Sequence, residues 1–399
     1  MWICLWTLGL GLGVAAAVTS LTGAELDAVT APPAAVRTAL ALPAFYTQHV
    51  DVGGFSVVGS PKVSQAALRE AAFLIRQMVG HRPDLLQALA KNKVRFAVMA
   101  HTEFTTDLPE HSDLQPRPYW NRRARGLGAS RQRPAVSCGE ENLLGLPGDP
   151  YATENILIHE FAHAIHEMAL SVVDPTFNRR LTEAFDAATQ AGLWKDKYAG
   201  RNRMEYWAEG VQSWFDTNRE NDFEHNHVNT RAELKQHDPA LAKLAGEIFG
   251  DGPWRYTKPA ARKPAPEHLR GLNPSTAPRF AFPAKEQAWY DRFKEGKETL
   301  APDNAVEMEL LSPESTNWRS PQTPHRTTLH LLNASKRTVR VEWMDFEGQA
   351  SPRGTLRPTD HFEQGTFAGH VWRLSDDQTG KALHFFITPL RPGKLVIRD

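Results

Sequence analysis

One run of twelve residues constrains this chain more than any other: Ile156-Leu157-Ile158-His159-Glu160-Phe161-Ala162-His163-Ala164-Ile165-His166-Glu167. It is apolar apart from a His-Glu-x-x-His core and the pair that follows it. The apolar positions predict a packed helix over residues 151–171. Residues four apart share one helical face, one turn apart. His159 and His163 therefore present both imidazoles together. Zn²⁺ binds imidazole nitrogen at about 2.0–2.1 Å, and this spacing supplies two of its ligands. Glu160 follows the first ligand and lies beside the metal, where it can act on a bound water. The plainer alternative is a solvated polar face on an ordinary helix, and the apolar setting weighs against it.

A catalytic zinc site needs a third protein ligand and one open position. An all-histidine extension would put glycine at position 166 and histidine at position 169. The chain has His166 and Ala169, which excludes that version. A later helix, expected near 204–219, offers Met204-Glu205-Tyr206-Trp207-Ala208-Glu209. Glu205 and Glu209 are four apart on one face. One can bind the metal while the other accepts the outer N–H of a ligand histidine. Two buried carboxylates on one face are costly without such a role.

With these residues the chain resembles the anthrax lethal factor-like family of zinc peptidases, over roughly residues 60–250. The resemblance rests on His-Glu-Phe-x-His and on Glu-x-x-x-Glu in an aromatic helix about 45 residues later. It implies a gluzincin fold with one zinc ion per chain, and Glu205 as the third ligand. Glu209 matches the family's supporting glutamate. Tyr198 matches a tyrosine seven residues before the ligand glutamate, which helps to stabilise the oxyanion. The implied chemistry is peptide hydrolysis, with Glu160 as general base.

Other candidates have plainer readings. His225 and His227 could bind a metal themselves, and a solvated loop is the simpler expectation. Asp107, Glu110 and His111 either line a cleft or act as turn and cap residues. Cys138 reads as a small buried residue, with a thiolate at the zinc's open position as the alternative.

The first apolar run, Trp2 to Val18, has the length of a signal-peptide core and is short for a membrane span. A leader over residues 1–24 implies secretion and no membrane contact after cleavage, with a retained anchor as the alternative, since no Lys or Arg precedes the run. Of the two cysteines, Cys4 would leave with it, and Cys138 alone could form no intrachain disulfide. Lys+Arg and Asp+Glu are 46 each, so a chain of zero net charge has no bulk electrostatic attraction for nucleic acid.

Length and pattern suggest an α+β organisation. Residues 25–252 form a mainly helical zinc-peptidase domain with a small sheet. Residues 25–60 read as irregular, a helix opens at 63–66, and 94–100 is a buried strand. Residues 101–150 show no steady period, and further helices fall near 176–192 and 230–249. Prolines punctuate 253–283, which suggests a connection over 253–324 that lies on the surface or wraps the first domain. Residues 325–399 are β-rich and predict an all-β sandwich. Asn333-Ala334-Ser335 within it is either a glycosylation sequon or a turn asparagine.

This last segment resembles the von Hippel–Lindau β-domain family over about residues 328–390. The resemblance runs through Val341-Glu342-Trp343, Thr355-Leu356-Arg357-Pro358 and Thr366-Phe367-Ala368-Gly369-His370-Val371-Trp372. It implies a pocket that reads hydroxyproline in a peptide. Trp343, His370 and Trp372 match its residues, Thr366 replaces a serine, and Arg353 stands where the family has tyrosine. The alternative is that these aromatics simply fill the sandwich core. The expected function is a secreted zinc metallopeptidase acting on protein or peptide. Its C-terminal module would recognise a partner or substrate, with a proline-rich or hydroxyproline segment as the candidate ligand. A zinc hydrolase of another amide, such as one in a cell wall, and an inactive binding protein on the same fold are the rivals.

Overall fold

The computed structural model describes residues 28–273, 276–314 and 318–399. The leader and Cys4 lie outside the described residues.

Two hydrophobic cores divide the molecule. The first is built on a five-stranded sheet. Its strands are β1 (Gln48–Val52), β2 (Phe55–Gly59), β3 (Arg95–Met99), β4 (Gly126–Leu127) and β5 (Ala135–Gly139), in the order β1-β2-β3-β5-β4. β2, β3 and β5 run parallel, and the two outer pairings are antiparallel. All three parallel strands are buried along their whole length, as befits a sheet covered on both faces. The reading of 25–60 as irregular is corrected here. Gly53 and Gly54 adopt φ of +59° and +88°, the left-handed pair that closes a two-residue hairpin. The strand β5 inside 101–150 was also missed. Short and holding Ser137 and Gly139, it carries too little β-branched character to show.

Helix α1 (Gln65–Val79) buries Ala67, Leu68, Ala71, Leu74, Ile75 and Met78 on one face and is capped by Ser64. α2 (Pro83–Lys91) follows. Pro83 opens this helix rather than ending the previous one, because a missing N–H costs nothing in a first turn. α3 is Arg117–Arg123. α4 spans Ile156–Ala164 and continues through a π-helical segment, Ile165–Leu170. It starts five residues later than the 151–171 expected, at Asn155, whose Oδ1 accepts the Ile158 N–H at 3.0 Å. The run from Ile156 to Val173 is long and apolar enough to cross a membrane, but 67% of it is buried inside the protein. α5 (Phe177–Gln190) and α6 (Arg203–Trp214) pack beside it. The helix expected over 230–249 is two helices, α7 (Arg231–His237) and α8 (Pro239–Phe249). Pro239 breaks the first, and Asp238 caps the second through Leu241 N.

The proline-punctuated connection is tied down. Glu70, fully buried on α1, receives the Arg262 guanidinium at 2.6 and 2.8 Å and His268 at 2.7 Å. The connection also holds a helix absent from the sequence reading, α9 (Ala284–Lys294).

The second core lies between two four-stranded sheets. β6 (Val306–Glu307), β7 (Arg326–Asn333), β10 (His361–Phe367) and β13 (Gly393–Ile397) form one sheet, ordered β10-β7-β13-β6. β8 (Val339–Met344), β9 (Ala350–Leu356), β11 (Val371–Asp376) and β12 (Ala382–Ile387) form the other, ordered β12-β11-β8-β9 and antiparallel throughout. Leu329, Leu331 and Leu395 from the first sheet meet Val341, Trp372, Leu374 and Phe386 from the second. The C-terminal region is thus an all-β sandwich. Asn333 has no exposed surface. Its Nδ2 donates to the carbonyls of Arg337 (2.7 Å) and Leu356 (2.9 Å), so it is the turn asparagine.

Candidate functional site

α4 and α6 are pinned together where Trp207 Nε1 donates to the Ala162 carbonyl at 3.0 Å. Asn202 caps α6, accepting from Met204 N and Glu205 N. These contacts fix Glu205 in the first turn of α6, opposite the paired histidines. His159 Nε2 and His163 Nε2 are 3.2 Å apart. Glu205 Oε2 lies 3.2 Å from the first and 3.4 Å from the second. Donor atoms about 2.0–2.2 Å from a tetrahedral zinc stand roughly 3.3–3.6 Å from one another. The three edges fit that figure to about 0.1 Å. The Glu205 Oε2 atom is buried and turned toward these two imidazole nitrogens, so three donor atoms converge on one point that a metal ion could occupy.

Charge leads to the same reading. Burial alone would lower the His159 imidazole, yet the carboxylates of Glu205, Glu160 and Glu209 push it up to about 10. Burial would raise Glu205, but the two imidazoles hold it well below the ordinary carboxylate range. The cluster asks for positive charge at its centre, which a divalent cation supplies.

The outer nitrogen of His159 is held differently from the expectation. Its Nδ1 lies 2.8 Å from Gln212 Oε1 and 3.4 Å from Glu209 Oε1. Gln212, not Glu209, is the nearer acceptor. The Gln212 amide nitrogen donates to Glu154 Oε2 (3.1 Å) and to the Asn155 carbonyl (3.3 Å). Both partners only accept, so Oε1 must face the histidine. His159 therefore carries a proton on Nδ1, and a metal bound at Nε2 would displace only the proton there. Gln212 was missed, although Glu205, Glu209 and Gln212 form an i, i+4, i+7 stripe legible in the sequence.

His225 is also corrected. It is buried, with Nδ1 2.8 Å from Asp222 Oδ1 and Nε2 3.3 Å from Glu209 Oε2. Glu209 thus stands between His225 and His159. His227 is exposed. His166 points away from the cluster, 2.6 Å from Asn178 Oδ1.

A cavity of about 290 Å³ opens beside the cluster, lined by His159, Glu160, Tyr198, Arg123 and Tyr290. Burial raises the Glu160 carboxyl despite its histidine neighbours. Burial, followed by the negative charge of Glu205, raises the Tyr198 phenol, so its O–H stays protonated. Arg201 lies over the Tyr198 ring at 4.4 Å. β4 forms the edge of the sheet against α4. A Cβ on Gly126 would lie 2.4 Å from Ile156 Cγ2, so only glycine lets that strand pass.

Asp107, Glu110 and His111 do not line this cavity. Asp107 accepts from Phe104 N, Glu110 pairs with Arg95 and Tyr46, and His111 is buried. Cys138 is fully buried in β5, and burial raises its thiol.

The second pocket, about 310 Å³, is in the sandwich. Trp343, Arg353, Thr366, His370 and Trp372 all line it. Thr366 Oγ1 and His370 Nδ1 are 3.2 Å apart. Arg353 lies 5.3 Å from the Trp343 ring centre. Trp372 is 2% exposed and belongs to the core, whereas Trp343 is half-buried. The indole nitrogens of both are buried without a partner. Burial lowers His370, which keeps it neutral.

Residues 319–388 match the VHL beta domain. The match covers the sandwich from just before β7 to just past β12. No curated protein matches the chain.

Proposed function

We propose that this chain is a secreted zinc-dependent metallopeptidase of gluzincin type whose β-sandwich recognises an extended polypeptide. The observation that carries the proposal is the convergence of three donor atoms, with Glu205 Oε2 spaced from His159 Nε2 and His163 Nε2 as on a tetrahedral face. Bound there, zinc would lower the pKa of a water to near 7 and polarise a carbonyl. The chain's own residues do the rest. Glu160 accepts the proton of the attacking water. The water oxygen joins the carbonyl carbon, the C–N bond breaks, and the proton held by Glu160 passes to the departing amine. Tyr198, kept protonated, donates to the developing oxyanion. The outer edge of β4 carries no strand partner among the described residues, which lets an extended peptide pair with it. An inert binding protein has no use for Glu160 in this position.

In the sandwich, Trp343 and Trp372 line an apolar slot for a proline-type ring, and Thr366 and His370 offer hydrogen bonds to a polar substituent. Such a pocket fits a module that reads proline-hydroxylated segments. Arg353 in place of a neutral phenol adds a permanent cation at its rim and favours an accepting group on the ligand.

Metal analysis followed by incubation with a diverse peptide library tests the main reading. One equivalent of zinc with peptide cleavage is expected. Zinc without cleavage of any peptide would mean hydrolysis of another amide, and absence of zinc would overturn the reading.

A further inference from the structure

The two pockets are not isolated from each other. α9 carries Trp289, Tyr290 and Phe293, none fully buried. Tyr290 lines the metal cavity together with Glu160 and Tyr198. One turn later, Phe293 stacks on His361 at 5.4 Å and 25°. His361 begins β10, and the far end of β10 supplies Thr366 to the sandwich pocket. β10 is an edge strand, paired among the described residues with β7 alone. The helix is held firmly on the first region. Arg122 donates to Gln287 Oε1 at 2.6 Å, and Tyr119 of α3 packs against Phe293 at 5.2 Å.

An aromatic ridge therefore joins a cleft wall to a strand that ends in the second pocket. Five strand residues cover about 17 Å at 3.3 Å each, and one helical turn adds about 5 Å. With the ring stack and side chains included, the pockets are roughly 30 Å apart along this path. An extended chain at about 3.3–3.6 Å per residue spans that with about nine residues.

We propose that the metal cleft and the sandwich pocket are two subsites of one polypeptide track, bridged by α9. The occupant is a single substrate chain that places a proline-type ring in the sandwich and is cut about nine residues away. The inference rests on the peptidase reading for the cutting step, and on the second pocket for the anchor. Tethering converts the second contact into an intramolecular one, with effective concentrations in the millimolar range for a spacer that fits.

The test uses the full-length protein and three fluorescent probes. A short probe is a mixture of randomised hexapeptides. A tail probe is a Gly-Ser peptide centred on Ala-Pro-Ala, made with proline and with 4-hydroxyproline. A long probe joins the two through an eight-residue Gly-Ser spacer. Fluorescence anisotropy on chelated, metal-free protein reads binding without turnover, and cleavage on the zinc-loaded protein is read separately. The long probe should bind at least tenfold more tightly than the better of its two parts. The advantage should vanish when the spacer is cut to two residues. The long-to-tail ratio should fall toward one in Tyr290→Ala and persist in Tyr290→Phe, which separates a lost aromatic wall from a misfolded helix. The long-to-short ratio should fall toward one in His370→Ala. A long probe that binds no better than its parts, or a gain indifferent to spacer length, overturns the inference. Cleavage of short peptides with no gain from the tail rejects the track and leaves the peptidase standing. A tethered gain with no peptide cut rejects the peptidase and leaves the track as a binding surface.

Discussion

The metal cleft and the sandwich pocket solve recognition in opposite ways. In the cleft, polar groups are held by other polar groups: Glu154 fixes Gln212, Gln212 fixes His159, and Asp222 fixes His225 against Glu209. Glu205 Oε2 faces the two imidazole nitrogens at the centre, where a cation fits. In the sandwich pocket, the walls are rings, His370 is neutral, and the indole N–H groups of the lining Trp343 and Trp372 are bare. The first arrangement fixes the position of charge to a fraction of an ångström, as catalysis requires. The second offers area and shape, which suits an anchor.

That contrast can be broken by substitution, beginning with the largest effect. His163→Ala leaves two of three protein donors, so stoichiometric zinc and all zinc-dependent turnover should be lost, as elemental analysis and a peptide assay will show. If Glu209→Ala empties the site while Glu205→Ala does not, the ligand assignment is reversed. Glu160→Gln should keep the zinc and lower kcat by about 10²–10⁴; unchanged kcat would remove Glu160 from the chemistry. In the sandwich the same kind of truncation should be felt as stability. Trp372→Ala should cost about 3–5 kcal/mol in unfolding, as for other buried aromatics, and Trp343→Ala less than half of that. Equal costs would make both rings plain core.

Acid should also separate the two regions. Burial pushes His111 down to about 4 from 6.5. Between those values the unfolded chain binds a proton that the folded chain refuses, so stability falls as pH drops through that window. By pH 4 the share of the loss from His111 is about 3 kcal/mol, and His111→Leu should make the slope shallower in the unfolding of the first region, where burial also lowers His49 and His166. The smallest effect is expected at Gln212. Gln212→Leu frees the outer N–H of His159 and should weaken zinc about 10–100-fold without emptying the site.

The parts legible in the sequence were those written in local spacing. His159 and His163 are one turn apart on one helix, and Glu205 and Glu209 one turn apart on another, so each pair could be placed before any fold was known. The sandwich strands showed through β-branched runs such as Thr327-Thr328-Leu329. Gln212 and His225 were harder, because their roles depend on which residues of distant segments face them. A glutamine gives no charge signal, and His225 sits in a loop of polar residues that looks solvated until Glu209 is seen against it. α9 was hidden by the prolines around it and by having no fully buried face. Its aromatics pack sideways, onto α3 and β10, instead of onto a core.

The buried amide of Asn333 has a consequence for how this chain must mature. Both amide hydrogens are spent on carbonyls inside the sandwich, so a sugar attached there would remove a donor and demand room that the folded module lacks. Should the nascent chain meet a glycosylating enzyme while still open, modification and closure of the module become mutually exclusive fates. The race between them would set the fraction of molecules whose module closes at all.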